Sequence, residues 1–258
     1  YYWNSYAHFG IHEEMLKDEV RTRSYRNAIL NNAHVVKDKI VLDVGCGTGI
    51  MSLFAAQAGA KHVYAIDNSG IIEQAKQIAI ENNMENKITY IRGKVEEVTL
   101  PVDKVDIIIS EWMGYFLFYE SMLDTVIYAR DKWLAPDGYL LPDRASVSIC
   151  GLEDGDYKEE KIQWWDRVWG FDMSCIKELT VLEPLIDIVN AQSVVTDHCT
   201  IMSIDLYTVK KEELDFKMPF RMRGIRNDHC HAFVVYFDIW FTISSTPIHF
   251  STGPHAQY

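Results

Sequence analysis

The sequence predicts an α/β fold with a mostly parallel sheet in its first half, followed by an antiparallel β unit. Up to about residue 141, short apolar, β-branched runs alternate with helical stretches, as in parallel βαβ units. The first of these runs leads into a glycine-rich turn of the kind that opens a nucleotide-binding unit. From about residue 143 the strand-like runs lack such regular alternation with helices, which favours antiparallel pairing.

The glycine-rich turn is the central motif of the chain. A buried strand is predicted over 39–44, the turn occupies 45–49, and a helix follows over 50–58. The spacing G-x-G-x-G differs from the G-x-G-x-x-G of dinucleotide sites, and Asp43 would repel a pyrophosphate. Because a carboxylate there attracts a cation, S-adenosylmethionine fits, since it carries an ammonium and a sulfonium but no phosphate. The alternative is an ordinary tight turn.

The other elements of the first half follow in order. They are a helix over 12–30, strands over 62–66, 88–91 and 105–109, and a helix over 121–134. The second strand ends at Asp67, where a carboxylate can hold a ribose diol, and Asn68 or Ser69 is expected to cap the next helix. Residues 135–138 stop the last helix, so a domain boundary is expected at 141/142.

Composition limits the classes of partner. The 37 Asp and Glu residues outweigh the 25 Lys and Arg residues, giving a formal net charge of −12. This charge argues against direct binding of nucleic acid or anionic membranes and favours a basic partner. Five scattered cysteines without a C-x-x-C pair indicate reduced, intracellular thiols, and no metal site is expected because His229 and His231 lack a third ligand. No apolar run reaches membrane-spanning length.

Two glutamates frame the loop after the fourth predicted strand. Glu111 and Glu120 bracket an aromatic, otherwise uncharged segment, and Gly114 permits a tight reversal that would bring them together. Paired carboxylates among aromatic residues suit a guanidinium, which is planar, always charged and able to bind carboxylates in a bidentate manner. The pair therefore predicts a site for a guanidinium group. The alternative is two exposed loop charges.

Three stretches, at 2–15, 43–49 and 110–120, together resemble protein arginine N-methyltransferases, most closely the type I branch. The resemblance runs over essentially the whole chain. It implies S-adenosyl-L-methionine as cofactor, S-adenosyl-L-homocysteine as product, and Glu111 and Glu120 as the clamp on the substrate arginine. The cofactor contacts that it implies are His12, Arg21, Gly45, Asp67 and Glu96, with Arg21 on the methionine carboxylate and Glu96 at the adenine. The glycine-rich turn itself adds Asp43 and Gly47 to these contacts. The residues that the resemblance places around the arginine pocket are Tyr2, Tyr6, Met15 and Met122.

The resemblance also implies the domain organisation. A Rossmann-like class I methyltransferase domain with an N-terminal helix is expected over 1–141, and an antiparallel β-barrel domain over 142–258. A helical insertion at about 158–184 is rich in tryptophan, including Trp164, Trp165 and Trp169, which indicates local core or an interface. The resemblance favours a dimerisation arm. It stops at Tyr258, before a Thr-His-Trp segment of the family, so the barrel is expected to be incomplete at its C-terminus.

The expected reaction is methyl transfer from S-adenosylmethionine to a guanidino nitrogen of arginine in proteins, giving mono- and asymmetric dimethylarginine. The proton acceptor is either a glutamate or water. The expected substrates are Arg-Gly-rich or histone-tail-like basic segments, and a cytoplasmic and nuclear homodimer is expected. One alternative is a small-molecule methyltransferase, which would not need two carboxylates at its acceptor site. The other is a scaffold that binds the cofactor but is catalytically inactive.

Overall fold

A five-stranded parallel sheet organises the first half of the chain. In this computed structural model, which describes residues 6, 8–243 and 247–256, its strands are β1 (Ile40–Val44), β2 (His62–Asp67), β3 (Ile88–Arg92), β4 (Val105–Ser110) and β5 (Leu134–Leu141). Their order is β3-β2-β1-β4-β5. At the end of β1, Val44 pairs with Ile66 on one side and Ser110 on the other. The strand order therefore reverses beside β1, where ligands of such sheets bind.

Within the described residues, six helices accompany this sheet. They are α1 (Phe9–Lys17), α2 (Glu19–Leu30), α3 (Ala33–Val36), α4 (Ile50–Gln57), α5 (Ile72–Glu81) and α6 (Met122–Trp133). Gly59, at φ +92°, follows α4 in the left-handed conformation of a C-terminal cap. Among the helices that the structure describes, none has the length and apolar character needed to cross a membrane.

The prediction of a single helix over 12–30 is wrong, because Asp18 separates α1 from α2. The backbone of Asp18 is extended, and its carboxylate accepts a hydrogen bond from the Arg21 N–H at 3.0 Å. An aspartate stabilises a helix start better than a helix interior, since its side chain competes for backbone N–H groups. The break sets the direction of α2, which carries Arg21.

The core of the first half lies on both faces of the parallel sheet. Tyr25 and Ile29 of α2, Leu42 of β1 and Ile108 of β4 are all fully buried or nearly so. Each such apolar side chain contributes about 1.5–3 kcal/mol of burial free energy. The Tyr25 hydroxyl also donates to the Ser110 carbonyl at 2.9 Å, which fixes α2 to the end of β4.

Two local predictions for this half were wrong. Neither Asn68 nor Ser69 caps α5, which begins after Ile71 without a side-chain cap. The Ser69 hydroxyl and N–H both donate to Asp67 Oδ1 at 2.7 Å instead. Residues 135–138, expected to stop the helix, and residues 139–141, expected to lead out of the domain, lie in the edge strand β5 instead, since an edge position tolerates the proline at 136.

The second half contains a four-stranded antiparallel sheet in the order β7-β6-β8-β9, made of β6 (Arg144–Leu152), β7 (Cys199–Asp205), β8 (Ala232–Phe241) and β9 (Ile248–Ser251). The antiparallel pairing agrees with the prediction. However, β7 and β8 are shorter than the strands that the sequence predicts over 199–209 and 232–243, and β9 is not predicted. The boundary at 141/142 falls between the two sheets and stays a prediction, as does closure into a barrel.

The insertion between β6 and β7 consists of short helical turns. They are α7 (Gly155–Tyr157), a π-helix (Lys158–Ile162), 3₁₀ turns at Gln163–Asp166 and Ser174–Ile176, and α8 (Lys177–Thr180), followed by a 3₁₀ turn at Ala191–Ser193. A further 3₁₀ turn, Lys211–Glu213, lies between β7 and β8. The side chain of Trp169 is 94% exposed and that of Trp164 is 51% exposed. Neither tryptophan is therefore part of a local core within one chain.

Candidate functional site

A cavity of about 250 Å³ lies at the carboxyl ends of β1, β2 and β4, between the glycine-rich turn and the N-terminal helices. Every predicted site residue in the described part of the chain lines it, namely Tyr6, His12, Met15, Arg21, Asp43, Gly45, Gly47, Asp67, Glu96, Glu111, Glu120 and Met122. Tyr2 lies outside the described residues. The structure thus brings these side chains together, while the role of each stays a prediction.

The glycine-rich turn requires glycine at each of its three positions. Gly45, Gly47 and Gly49 have φ angles of +73°, +53° and +83°, which L-residues with a side chain rarely adopt. A Cβ atom on Gly45 would overlap the methyl group of Met122, and one on Gly49 would lie 2.5 Å from the Tyr90 hydroxyl oxygen. The turn therefore presents bare backbone to the cavity, as a closely approaching ligand needs.

Two carboxylates, those of Asp43 and Asp67, lie next to this turn. Asp43 is 1% exposed, and burial, reinforced by the charge of Asp67, raises its pKa to about 7 against the opposing hydrogen bond from Ser52. The Ser52 hydroxyl donates to Asp43 Oδ2 at 2.6 Å. Asp67 Oδ2 accepts the Gly47 N–H at 2.8 Å, so the acid expected at the ribose also fixes the turn. A cation bound in the cavity would favour the charged form of Asp43.

The loop between the two glutamates reverses direction at residues 114–117. The Gly114 N–H donates to the Leu117 carbonyl at 3.1 Å, and Phe116 and Leu117 have left-handed φ angles of +53° and +63°. Gly114 lies at this reversal as expected, but its contribution is close approach, since an added Cβ would lie 3.0 Å from Glu120 Cγ. Ser121, at φ +56°, completes the unusual backbone around Glu120.

The two glutamates have different partners. Glu111 Oε2 accepts a hydrogen bond from Arg21 Nη1 at 2.6 Å. Burial raises the pKa of Glu111, Arg21 opposes the shift, and the charge of Glu120 adds to it. Glu120 Oε2 accepts the Tyr6 hydroxyl at 2.6 Å. Two carboxylates that face one cavity, one of them held by a cation, form an arrangement suited to a guanidinium ligand.

Arg21, on α2, connects the end of α1 to the two-glutamate loop through its side chain. Its Nη2 donates to the Met15 carbonyl, and its Nη1 to Glu111. Its Nε is buried and has no hydrogen-bond partner within the described residues. The resemblance places Arg21 on a ligand carboxylate, and one guanidinium N–H remains available for such an acceptor.

His12 and Glu96 lie on the two sides of the turn. The His12 ring is 5% exposed, and its Nε2 lies 2.8 Å from the Tyr6 carbonyl oxygen. Glu96 is exposed at the cavity, where its Oε1 accepts the Thr125 hydroxyl at 2.7 Å. Both positions agree with contacts to a ligand that extends across the turn.

Several cavity and supporting residues were not predicted. Ser52 holds Asp43, Thr125 holds Glu96, and Trp112 lines the cavity with its indole N–H buried and unpartnered among the described residues. A serine within the otherwise apolar start of α4 was the available signal for Ser52. Nothing in the sequence pattern marked the other two. Across the described part of the chain, no three His, Cys, Asp or Glu side chains gather as a metal ion would require.

Two family models match the chain in succession. Residues 41–138 match a methyltransferase domain, and residues 143–258 match the arginine methyltransferase oligomerization subdomain. Most of the parallel sheet lies within the first match, whereas the N-terminal helices, which also line the cavity, precede it. The antiparallel sheet lies within the second.

Two relatives from different organisms are both named protein arginine N-methyltransferase 1. The chain is 62% identical over 257 residues to protein arginine N-methyltransferase 1 of Chlamydomonas reinhardtii, covering 100% of this chain and 74% of that protein. It is 59% identical to protein arginine N-methyltransferase 1 of Dictyostelium discoideum, covering 100% of this chain and 76% of the relative.

Solved structures agree with the fold. The Trypanosoma brucei PRMT1 enzyme–prozyme heterotetrameric complex with AdoHcy superposes with a TM-score of 0.95 at 48% identity, covering 98% of this chain and 80% of that one. Arabidopsis thaliana protein arginine methyltransferase 10 superposes with a TM-score of 0.85 at 30% identity, covering 99% and 81%.

Proposed function

The chain belongs to the protein arginine N-methyltransferase family, in its type I branch, and from this premise we propose how its cavity works. The chain is an enzyme that methylates arginine in proteins with S-adenosylmethionine as cofactor. The single observation that carries the proposed mechanism is that Glu111 and Glu120 line the same cavity as the glycine-rich turn. Neither a small-molecule methyltransferase nor an inactive scaffold is favoured, since relatives named as arginine methyltransferases match the whole chain.

The residues around the turn fit S-adenosylmethionine. The left-handed glycines leave bare backbone where side chains would fill the space, and Arg21 Nε faces no acceptor within the described residues. The residues that would hold the cofactor are His12, Arg21, Asp43, Gly45, Gly47, Asp67 and Glu96. When bound, S-adenosylmethionine supplies an electrophilic methyl group on its sulfonium.

Glu111 and Glu120 then position and polarise the acceptor. A guanidinium is a poor nucleophile because its charge is delocalised over three nitrogens. Two carboxylates on the other nitrogens draw the positive charge away from the attacking one and fix its direction. Tyr6 supports Glu120 by its hydrogen bond, and Met15 and Met122 line the pocket beside the glutamates. Positioning and electrostatics supply most of the rate gain in this mechanism.

We expect the enzyme to methylate an Arg-Gly-rich peptide and to leave the matched lysine peptide at least ~100-fold less modified. A lysine ammonium is a point charge that cannot present a planar, two-sided donor set to both carboxylates. The measurement is transfer of labelled methyl, in this chain and in one extended past Tyr258. Tandem mass spectrometry then separates asymmetric from symmetric dimethylarginine. Equal modification of both peptides would contradict the assignment.

The substrates proposed are Arg-Gly-rich or histone-tail-like segments. The formal net charge of −12 supports them, because an acidic surface attracts basic chains. The products proposed are monomethylarginine and asymmetric dimethylarginine, and the proposed location is both cytoplasm and nucleus, where such segments occur. Direct nucleic-acid binding is not part of the proposal.

Oligomerisation is supported by the match of residues 143–258 to the oligomerization subdomain. The finer proposal is a homodimer formed through the insertion at about 158–184. Trp169 and Phe171 support it, since their side chains are 94% and 69% exposed. Large aromatic side chains in such a cluster are typical anchors of interfaces.

The double variant Trp169→Ser with Phe171→Ser is expected to sediment as a monomer at concentrations where the parent is a dimer. Both side chains are exposed, so the fold should keep its stability, which circular dichroism and thermal unfolding would verify. Ile80→Ser provides the matched control, because Ile80 on α5 is 53% exposed but far in sequence from the insertion. A double variant that stays dimeric would place the interface elsewhere.

A further inference from the structure

Three exposed aromatic side chains lie within the two-glutamate loop. Tyr115, Phe116 and Tyr119 are 58%, 50% and 78% exposed, whereas Leu117 between them is buried. Single exposed apolar side chains are common on proteins, but a cluster of large rings indicates a surface that binds a ligand. None of the three lines the cavity, so the mechanism proposed above leaves them without a role.

Two of these residues adjoin Glu120. Tyr119 directly precedes Glu120 in the chain, and its N–H donates to the Tyr115 carbonyl at 3.1 Å. Gly114, which precedes Tyr115, lies so close to Glu120 that an added Cβ would be 3.0 Å from Glu120 Cγ. Because Glu120 lines the cavity, Tyr115 and Tyr119 lie together at its edge.

From this arrangement we propose that Tyr115 and Tyr119 form a second subsite, which binds the guanidinium of another arginine in the same substrate chain. The ligand is a planar cation held against the ring faces, outside the pocket in which methyl transfer takes place. The proposal rests on the proposed function and names what the enzyme recognises beside the reacting arginine. The enzyme therefore prefers segments with two arginines a few residues apart to segments with one.

The composition of the proposed substrates indicates the occupant. Glycine has no side chain, so in an Arg-Gly-rich segment the side chain that can meet an exposed ring is that of a second arginine. An extended chain advances about 3.3–3.6 Å per residue, so an arginine three positions away lies about 10 Å from the reacting one. That separation lets one arginine enter the cavity while the other stays at its edge.

The charge distribution of the loop favours a cation on these rings. The faces of aromatic rings are negative, and arginine stacks on them more often than lysine does. The loop has no Lys or Arg between Glu111 and Glu120. Within the described residues, no cation lies over the ring of Tyr115 or Tyr119. A substrate guanidinium would therefore meet no competing cation of the loop, and the carboxylate of Glu120 adds to its attraction.

Peptides of the form Gly-Xaa-Gly-Gly-Arg-Gly-Gly-Xaa-Gly test the subsite, since Xaa stands three positions from the central arginine on both sides. Xaa is arginine, leucine or citrulline, which has the shape of arginine without its charge. The measurement is kcat/KM for methylation of the central arginine, located by tandem mass spectrometry. An exposed cation–π contact changes affinity about 2- to 5-fold, so for two rings we expect the arginine peptide to exceed the citrulline peptide at least ~5-fold.

The double variant Tyr115→Leu with Tyr119→Leu should reduce this arginine-to-citrulline ratio below ~2. Leucine keeps an apolar side chain but has no ring face, so any remaining preference measures attraction to the acidic surface as a whole. Tyr115→Phe with Tyr119→Phe keeps both rings and should retain the parental ratio, which separates stacking from hydrogen bonding by the hydroxyls. Phe233→Leu is the matched control, because Phe233 on β8 is 62% exposed but far in sequence from the loop.

The outcomes separate this inference from the proposed function. Equal kcat/KM for the arginine and citrulline peptides would overturn the subsite, as would a leucine peptide that matches the arginine peptide, since the rings would then bind apolar side chains. A parental ratio in the double leucine variant would overturn it as well. In each of these cases methylation of the central arginine would still stand. If neither this chain nor one extended past Tyr258 methylates any of the peptides, the proposed function fails and the inference with it.

Discussion

Glu120→Gln is expected to slow methyl transfer to an arginine peptide at least ~100-fold, and Glu111→Gln to a similar extent. The substitution keeps the size of the side chain but removes the charge that pairs with the guanidinium. Truncating one partner of a buried charge pair costs about 2–5 kcal/mol, and each ~1.4 kcal/mol is a factor of ten in rate. The measurement is the steady-state rate, with S-adenosylhomocysteine affinity determined on the same protein.

The two variants differ in what else they change. Glu120 accepts a hydrogen bond from Tyr6, whereas Glu111 accepts one from Arg21, which is itself a predicted cofactor contact. Cofactor affinity should therefore be nearly unchanged in Glu120→Gln, which is the cleaner test. Glu73→Gln is the control, since Glu73 lies exposed on α5 and pairs with Lys76. Near-parental rates in both cavity variants would mean that the glutamates do not bind the acceptor.

The second large effect is expected at the glycine-rich turn, where Gly45→Val should lower S-adenosylmethionine affinity at least ~100-fold. Gly45 has a φ of +73°, which a β-branched residue adopts only with strain. Its new Cβ would also overlap the methyl group of Met122, so the methionine would have to move within the cavity wall. Strain and overlap of about 3 kcal/mol correspond to this loss of affinity.

Gly59→Val is the control that separates the effect of backbone strain from the effect of filling the cofactor site. Gly59 has a φ of +92°, so valine there is similarly strained, but the atoms nearest to its Cβ would be those of Lys37, at 3.5 Å or more. Both variants should lose thermal stability, and only Gly45→Val should lose the cofactor. Calorimetry on the folded proteins makes the comparison. Equal cofactor affinity in the two variants would remove the turn from the binding site.

The part of the cavity around the glycine-rich turn was predictable because its signals are contiguous in sequence. The strand at 40–44, the left-handed glycines and the helix after them are local features with known backbone requirements. Asp67 was predictable for the same reason, since it ends a strand that pairs with β1. Glu111 and Glu120 were recognised because charges stand out in an aromatic loop. The resemblance to a family then supplied roles for residues such as His12 and Met15, whose types alone indicate nothing.

The unpredicted features depend on tertiary contacts. The pair of Arg21 and Glu111 joins a helix to a loop 90 positions away. The hydrogen bond of Ser52 to Asp43 depends on how α4 packs against β1. Asp18 divides a continuous helical pattern because its carboxylate caps the start of α2, and the sequence pattern alone does not distinguish this role from a place inside one long helix. The edge strand β5 contains proline and glycine, which normally argue against a strand, and only its position at the sheet edge makes it possible.

The backbone of the two-glutamate loop limits where the proposed arginine site could be rebuilt. Phe116, Leu117 and Ser121 hold left-handed conformations without being glycine, at a cost of about 1–3 kcal/mol each. An isolated peptide copied from 111–120 would relax to ordinary conformations and separate its carboxylates. Leu117 is 1% exposed, so the surrounding core is what holds the loop in shape. A short segment would therefore not keep the geometry of the proposed site, and transplanting the loop into another protein requires the packing beneath Leu117 as well.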